Sequence, residues 1–254
     1  MAESKFTAPT EMIDLPSKGK LYPADSALAS GEVEMAYMTA KTEDILTNVN
    51  LLRQGLAIEK MLKSLIKTPI TYEDLLLGDR NALLIAARIL GYGKDYNLMV
   101  KNPNTGEEEA IVVDLQKLNY KEVDLSLFEN GEVTFELPYS KNVVTFKILT
   151  VDDDKKIDEE AKAIKKSLGY EPGASERLKY QITSVNGDRT QKTVRDFIDS
   201  GALLARDSNP LRRYIAQVTP DIDMSTTITF KDGTELVIDV PMGAEFFFPG
   251  LGIV

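Results

Sequence analysis

Residues 82 to 90 read ALLIAARIL, apolar at every position except Arg88. A helix that is apolar all the way round has no face to offer water, so it needs neighbours on every side. The chain must therefore wrap a core around this segment. Gly78-Asp79-Arg80 opens it and Gly91-Tyr92-Gly93 closes it. Asp79 is placed to cap the first turn, and Gly91 to end the helix in a left-handed conformation. Glycines that cradle a phosphate precede a helix, where the free amides point, whereas these follow it. The segment reads as a buried structural helix, with Arg88 expected to pair with a buried carboxylate.

The rest of the chain alternates between two periods. Glu32 to Met38 alternates as a strand, and Thr39 or Thr42 then offers a helix N-cap followed by Glu43 and Asp44. Asn50 to Lys67 carries apolar residues at helical spacing and is stopped by Pro69. Turn residues Asn102 to Gly106 and Pro138 to Lys141 each separate two alternating runs and predict hairpins, as does Lys231-Asp232-Gly233. Asp152 to Leu168, Thr190 to Ser200 and Leu211 to Val218 read as helices, while 177 to 185 fits helix or strand equally. These elements predict an α+β fold in which helices pack beside short antiparallel hairpins.

A pattern recurs. Val33 to Leu46 matches Val144 to Ile157, with Thr39 opposite Thr150, and Gly187-Asp188-Arg189 repeats the earlier tripeptide with Gly201 following it. Two related lobes are expected, at 31–118 and 142–254, joined by a hairpin region at 119–141. Recurrence of the tripeptide favours an architectural role for Asp79, Arg80 and Asp188 over a ligand site. Arg206 and Asp207, in Ala205-Arg206-Asp207-Ser208, join the same group of caps and buried charges. Residues 1–30 are interrupted by Pro9, Pro16, Gly19 and Pro23. Such a segment buries too little to fold alone and predicts an extended N-terminal arm that orders on a partner.

The chain has no cysteine and no histidine, so disulfides, thiolate nucleophiles and Ser-His-Asp sites are excluded within it. A Mg²⁺-dependent enzyme using Asp207, Asp221 and Asp223 is the remaining catalytic alternative; Asp152-Asp153-Asp154 suits a helix N-terminus better than a metal. No cofactor, metal site or catalytic residue is expected. A formal net charge of −10 argues against nucleic acid as a partner. No apolar run is long enough to span a membrane, and the N-terminus lacks the regions of a signal peptide, so a cytoplasmic protein is expected. Phe246-Phe247-Phe248 is the other notable feature, since a strand buries one side and three successive rings leave at least one exposed.

Several blocks, in order, carry a resemblance. Leu15-Pro16-Ser17-Lys18-Gly19-Lys20-Leu21-Tyr22-Pro23, Thr42 to Asn48, Leu76-Leu77-Gly78-Asp79-Arg80 and Ala87 to Gly93 resemble the baseplate proteins of T-even-like contractile-tailed bacteriophages. Ala205 to Ser208, Leu211 to Ile215, Pro220-Asp221-Ile222-Asp223 and Pro241 to Pro249 extend the likeness over most of the chain. Relatives often carry a Cys-Pro-x-Cys turn where this chain has Asn102-Pro103-Asn104-Thr105, and a tryptophan where Phe248 stands. No metal clip is carried over, so the hairpin turn must hold by itself.

The resemblance implies a non-enzymatic factor that helps build the baseplate hub in the host cytoplasm, through contacts with other hub or tail proteins. A component retained in the virion tail is the alternative, and self-association is left open. The partner-binding residues expected are Leu15, Pro16, Leu21, Tyr22 and Pro23 of the arm, with Phe246, Phe247 and Phe248 of the tail.

Overall fold

The computed structural model describes residues 8–169 and 173–247. Thr10–Asp14 (β1) pairs antiparallel with Glu32–Ala36 (β2), and a 3-10 turn at Ala27–Ser30 lies between them. Ala40–Leu46 (α1), Val49–Arg53 (α2) and Ala57–Leu65 (α3) follow. The continuous helix expected over 50–67 is broken at Gly55, whose φ of 70° suits the residue without a side chain. Leu77–Tyr92 is α4, and it leads into the hairpin of Asp95–Lys101 (β3) and Glu108–Asp114 (β4).

A second run begins with Glu132–Glu136 (β5) paired to Val143–Lys147 (β6). Val151–Leu168 (α5) and Ala174–Gln181 (α6) precede Ile182–Val185 (β7), which joins β6 to make a sheet in the order β5-β6-β7. The ambiguous stretch at 177–185 is thus helix and then strand. Gln191–Asp199 (α7) and Ala205–Val218 (α8) lead to the hairpin of Ser225–Thr229 (β8) and Glu235–Asp239 (β9), and Ala244–Phe247 (α9) is a final turn. The protein is α+β, with small antiparallel sheets.

Two apolar cores organise these elements. The first surrounds α4, whose Ala82 to Ala87 are all buried against residues such as Leu15, Val33, Met61 and Leu75. The second lies between β5-β6-β7 and helices α6, α7 and α8, with Phe146, Leu178, Phe197 and Leu211 at its centre. The chain does not divide at residue 142. Ile222, Ile228, Phe230, Val240, Phe246 and Phe247 return to the first core, so the last hairpin belongs with β3 and β4. Contiguous lobes at 31–118 and 142–254 are therefore replaced by a first core built from both ends of the chain and a second from its middle.

The N-terminal segment is also corrected. Within its described part, β1 is paired along its length, Leu15 N–H donates to the Gly31 carbonyl at 2.8 Å, and Leu15, Pro16 and Ser17 are buried. The segment folds because β2 and α4 supply the apolar surface it lacks. Removing residues 1–23 would take out a paired strand and Leu15 from the core. Residues 1–7 lie outside the described residues.

Two helix ends differ from expectation. α4 begins at Leu77, so Asp79 is the third helical residue, not the cap. At the other end, Gly91 is inside the helix beside Met38, and Gly93, with φ 81°, ends it. The hairpin turn at 102–106 holds through Asn102, which is buried. Its Oδ1 accepts from the amides of Asn104 at 2.8 Å and Thr105 at 3.4 Å. Its Nδ2 donates to Asp232 at 3.1 Å, and Asn104 Nδ2 donates to Thr234 at 2.9 Å, tying this turn to that of β8-β9.

Candidate protein-interaction sites

The Leu15 to Pro23 segment is built onto the start of α4. Asp79 is fully buried and accepts from the Ser17 amide at 2.9 Å, the Ser17 hydroxyl at 2.6 Å and the Tyr22 hydroxyl at 2.6 Å. Tyr22 Oη in turn accepts from the Leu76 amide at 2.9 Å. Burial raises the Asp79 carboxyl above its usual value, against the opposing effect of the Ser17 and Tyr22 donors. Burial first, and then the charge of Asp79, push the Tyr22 phenol far above its ordinary range. Two of the family-like blocks, LPSKGKLYP and LLGDR, are therefore one hydrogen-bonded unit.

That unit sorts the five arm residues expected to meet a partner. Leu15 and Pro16 are buried and hold the segment down, while Leu21 and Tyr22 are half-buried and Pro23 is exposed. Leu21, Tyr22 and Pro23 line a groove of about 540 Å³ together with Pro69, Ile70 and Thr71.

The aromatic tail is placed differently. Phe246 and Phe247 are 0% and 1% exposed, so neither ring is available as a partner surface. Helical geometry at Ala244–Phe247, not a strand, turns both rings into the first core, where Phe246 meets Tyr96 edge-on at 5.1 Å between centroids. Phe248 lies outside the described residues. The Arg88 guanidinium lies 5.9 Å from the Phe246 ring centroid and is also close to the rings of Tyr92 and Tyr96. Its Nη1 donates to the Gly93 carbonyl at 2.8 Å and its Nη2 to the Asp95 carbonyl at 3.2 Å. Backbone carbonyls and aromatic faces thus take the place of the expected buried carboxylate, and burial lowers the Arg88 pKa.

Arg80 lies 3.5 Å from Asp154 and links α4 to α5. The second Gly-Asp-Arg is not equivalent to the first. Gly187, with φ 85°, makes a turn, and exposed Asp188 accepts from the Thr190 amide at 2.8 Å and the Thr193 hydroxyl at 2.7 Å at the start of α7. The counterpart of Asp79 is Asp207. It too is the third residue of its helix and fully buried, and it accepts from the amides of Tyr139 at 2.7 Å and Ser140 at 3.1 Å. Burial pushes its carboxyl up, but those two amides, the Tyr139 amide first, hold it below the usual range. Arg206 stacks over the Tyr139 ring at 5.5 Å.

The two loops that meet these aspartates, Leu15-Pro16-Ser17-Lys18 and Leu137-Pro138-Tyr139-Ser140-Lys141, both follow a first strand and place Lys18 and Lys141 at positive φ, but which aspartate each loop meets is set by the fold. The Thr39 and Thr150 match holds. The Thr39 amide donates to the Thr42 hydroxyl at 3.3 Å, and Thr150 forms a reciprocal cap with Asp153 at 3.0 and 3.2 Å.

The acidic residues are separately engaged. Asp152 pairs with Lys156, Asp153 with Lys147, and Asp154 with Arg177. Asp221 accepts from Asn81 at 3.1 Å and Asp223 from the Ser225 hydroxyl at 2.7 Å, while Asp207 faces Tyr139 and Ser140. Among the described residues no group of three or more acidic side chains is arranged to hold a metal ion.

Comparison with known proteins agrees with the ordered blocks. No curated protein and no solved structure matches the chain. The family model described as T4 bacteriophage base plate protein matches residues 8–247, which takes in both cores, the Asp79 and Asp207 units and the returning hairpin. A match over nearly the whole chain places this protein in the T4 bacteriophage base plate protein family.

Proposed function

We propose that this protein is an assembly factor of the baseplate hub, acting through contacts with other hub or tail proteins and not by catalysis. The observation that carries the reading is the groove at Leu21, Tyr22 and Pro23. Its wall is held from beneath by Asp79 and Leu76, so a partner would meet a segment that is already ordered. The chain would act in the host cytoplasm while tails are being built.

A second reading, a component retained in the tail baseplate, draws on a different surface. Met99 and Val112 on the outer face of β3-β4 and Val237 on that of β8-β9 are each at least 60% exposed. Exposed apolar side chains on neighbouring hairpins suit a lasting interface.

Quantitative mass spectrometry of purified particles and of infected-cell lysate separates the two. Abundance in lysate with absence from particles is the result expected of an assembly factor. A fixed copy number in particles, proportional to hub proteins, would instead make the chain a structural subunit.

A further inference from the structure

Between the two cores, where α4 approaches α8 and the starts of α5 and α6, lies a cleft of about 560 Å³. Among the described residues, its lining includes the cations Arg80, Lys121, Arg177 and Arg212 and two carboxylates, Asp154 and Asp221. The cleft thus has a surplus of positive charge in a chain whose formal net charge is −10.

The carboxylates are already engaged. Asp154 accepts from Arg177 at 2.9 Å, and Asp221 from Asn81 at 3.1 Å and from the Ile222 amide at 2.8 Å. The cations are less well served. Among the described residues the buried Arg80 Nε has no acceptor, its Nη1 reaches Asp154 only at 3.5 Å and its Nη2 reaches Asn81 Oδ1 only at 3.5 Å. Arg212 Nε donates, among the described residues, to the Ser208 carbonyl of its own helix alone, at 3.4 Å. Lys121 Nζ makes no hydrogen bond or ion pair among the described residues. A buried guanidinium donor without a partner carries a desolvation cost that an incoming acceptor would relieve.

The walls are fixed. Leu77 N–H donates to the Leu149 carbonyl at 3.1 Å, and Lys121 N–H to the Asp221 carbonyl at 2.8 Å. Gly78 lies so close to the Pro220 carbonyl that a side chain there would overlap it. Buried Ile148 and Ile215 give the cleft an apolar floor beneath its charged rim.

We propose that this cleft receives an acidic segment of a partner protein, with Asp or Glu carboxylates taken by Arg80 and Arg212. The proposal rests on the reading above that the protein works through contacts with other tail proteins. Guanidinium groups match carboxylates through paired donors, and an apolar floor accepts the methylene stem of a glutamate. A nucleic acid needs a longer basic track to follow its phosphates and would be repelled by the surrounding negative charge.

Fluorescence anisotropy with a labelled hexaglutamate peptide tests this on the full chain. Hexaglutamate should bind and hexaglutamine should not. Among the described residues Arg212 holds no ion pair, so Arg212→Glu should keep the wild-type melting temperature while weakening hexaglutamate at least tenfold. Lys60→Glu, the same charge change on the exposed side of α3, should leave binding unaltered. No hexaglutamate binding, equal binding of hexaglutamine, or equal losses in the two variants would overturn the proposal. So would a thymidine hexanucleotide that competes as well as the peptide, which would mark a general polyanion site.

Co-purification from infected cells keeps this separate from the assembly reading. Hub proteins retained by wild type and lost by Arg212→Glu support the cleft. Equal retention by both sinks the cleft and leaves the assembly reading intact, whereas wild type that retains no tail protein counts against the assembly reading itself.

Discussion

Asp79 and Asp207 are structural counterparts: each is the third residue of its helix, each is fully buried, and each accepts amide hydrogens from a loop that begins Leu-Pro. Their titration differs. Burial prevails at Asp79, where the neighbouring charge of Asp221 adds to it, whereas the amides prevail at Asp207. In both, a carboxylate near a helix N-terminus ties that helix to the loop between the first two strands of its run.

Asp79→Ala should destabilise the protein by about 3 kcal/mol, because it strands the Ser17 amide, the Ser17 hydroxyl and the Tyr22 hydroxyl together. Tyr22→Phe removes one of those donors and should cost about 1 kcal/mol. Urea denaturation followed by circular dichroism measures both, and an Asp79→Ala protein as stable as wild type would refute the assignment.

Gly78→Ala and Gly91→Ala should part company although both glycines lie in α4. A methyl at 78 meets the Pro220 carbonyl, which is backbone and cannot move without disturbing the seam between the cores. The cost should be about 2 kcal/mol. At 91 the obstacle is the flexible side chain of Met38, and the gain in helix propensity offsets the crowding, for a net change within about 0.5 kcal/mol of zero. Comparing melting temperatures decides it.

Phe246→Ala should cost about 3–5 kcal/mol, the usual range for emptying a buried ring site. Arg88→Lys should cost about 1–2 kcal/mol, since an ammonium cannot serve the Gly93 and Asp95 carbonyls together as the planar guanidinium does. A Phe246→Ala variant of normal stability and impaired partner binding would restore the tail as a contact surface.

Acid should loosen the seam between α3 and α5. Glu73 accepts from Lys63 and from Lys155 of α5, and chiefly the Lys63 hydrogen bond lowers its carboxyl from 4.5 to about 2. A depressed carboxyl contributes stability that is present above pH 4.5 and lost as pH falls toward about 2. Glu73→Gln should therefore flatten the acid limb of stability between those values. An unchanged limb would show that solvent screens the network too well for it to matter.

Local chemistry carried much of this into the sequence. The all-round apolar run at 82–90 required a buried helix, and α4 is buried from 82 to 88 because its side chains leave water no face. Turn residues located the hairpins at 102–106 and 231–233, and Asp152-Asp153-Asp154 marked a helix N-terminus, since these depend on contacts a few residues apart. Leu15 to Pro23 could not be read in the same way. Its apolar residues are too few to fold alone, and its stability comes from Asp79, more than fifty residues on.

The sequence by itself determined the period of each element, the exclusion of cysteine and histidine chemistry, and the ordered blocks of the baseplate family, because these are properties of neighbours along the chain. Only the tertiary structure decided that Asp207 and not Asp188 is the counterpart of Asp79, that Phe246 closes the first core, and that under-served cations gather between the cores. Each of these depends on which distant segments share a buried space, where a hydrogen bond or a charge acquires its value from desolvation, and no local pattern records that.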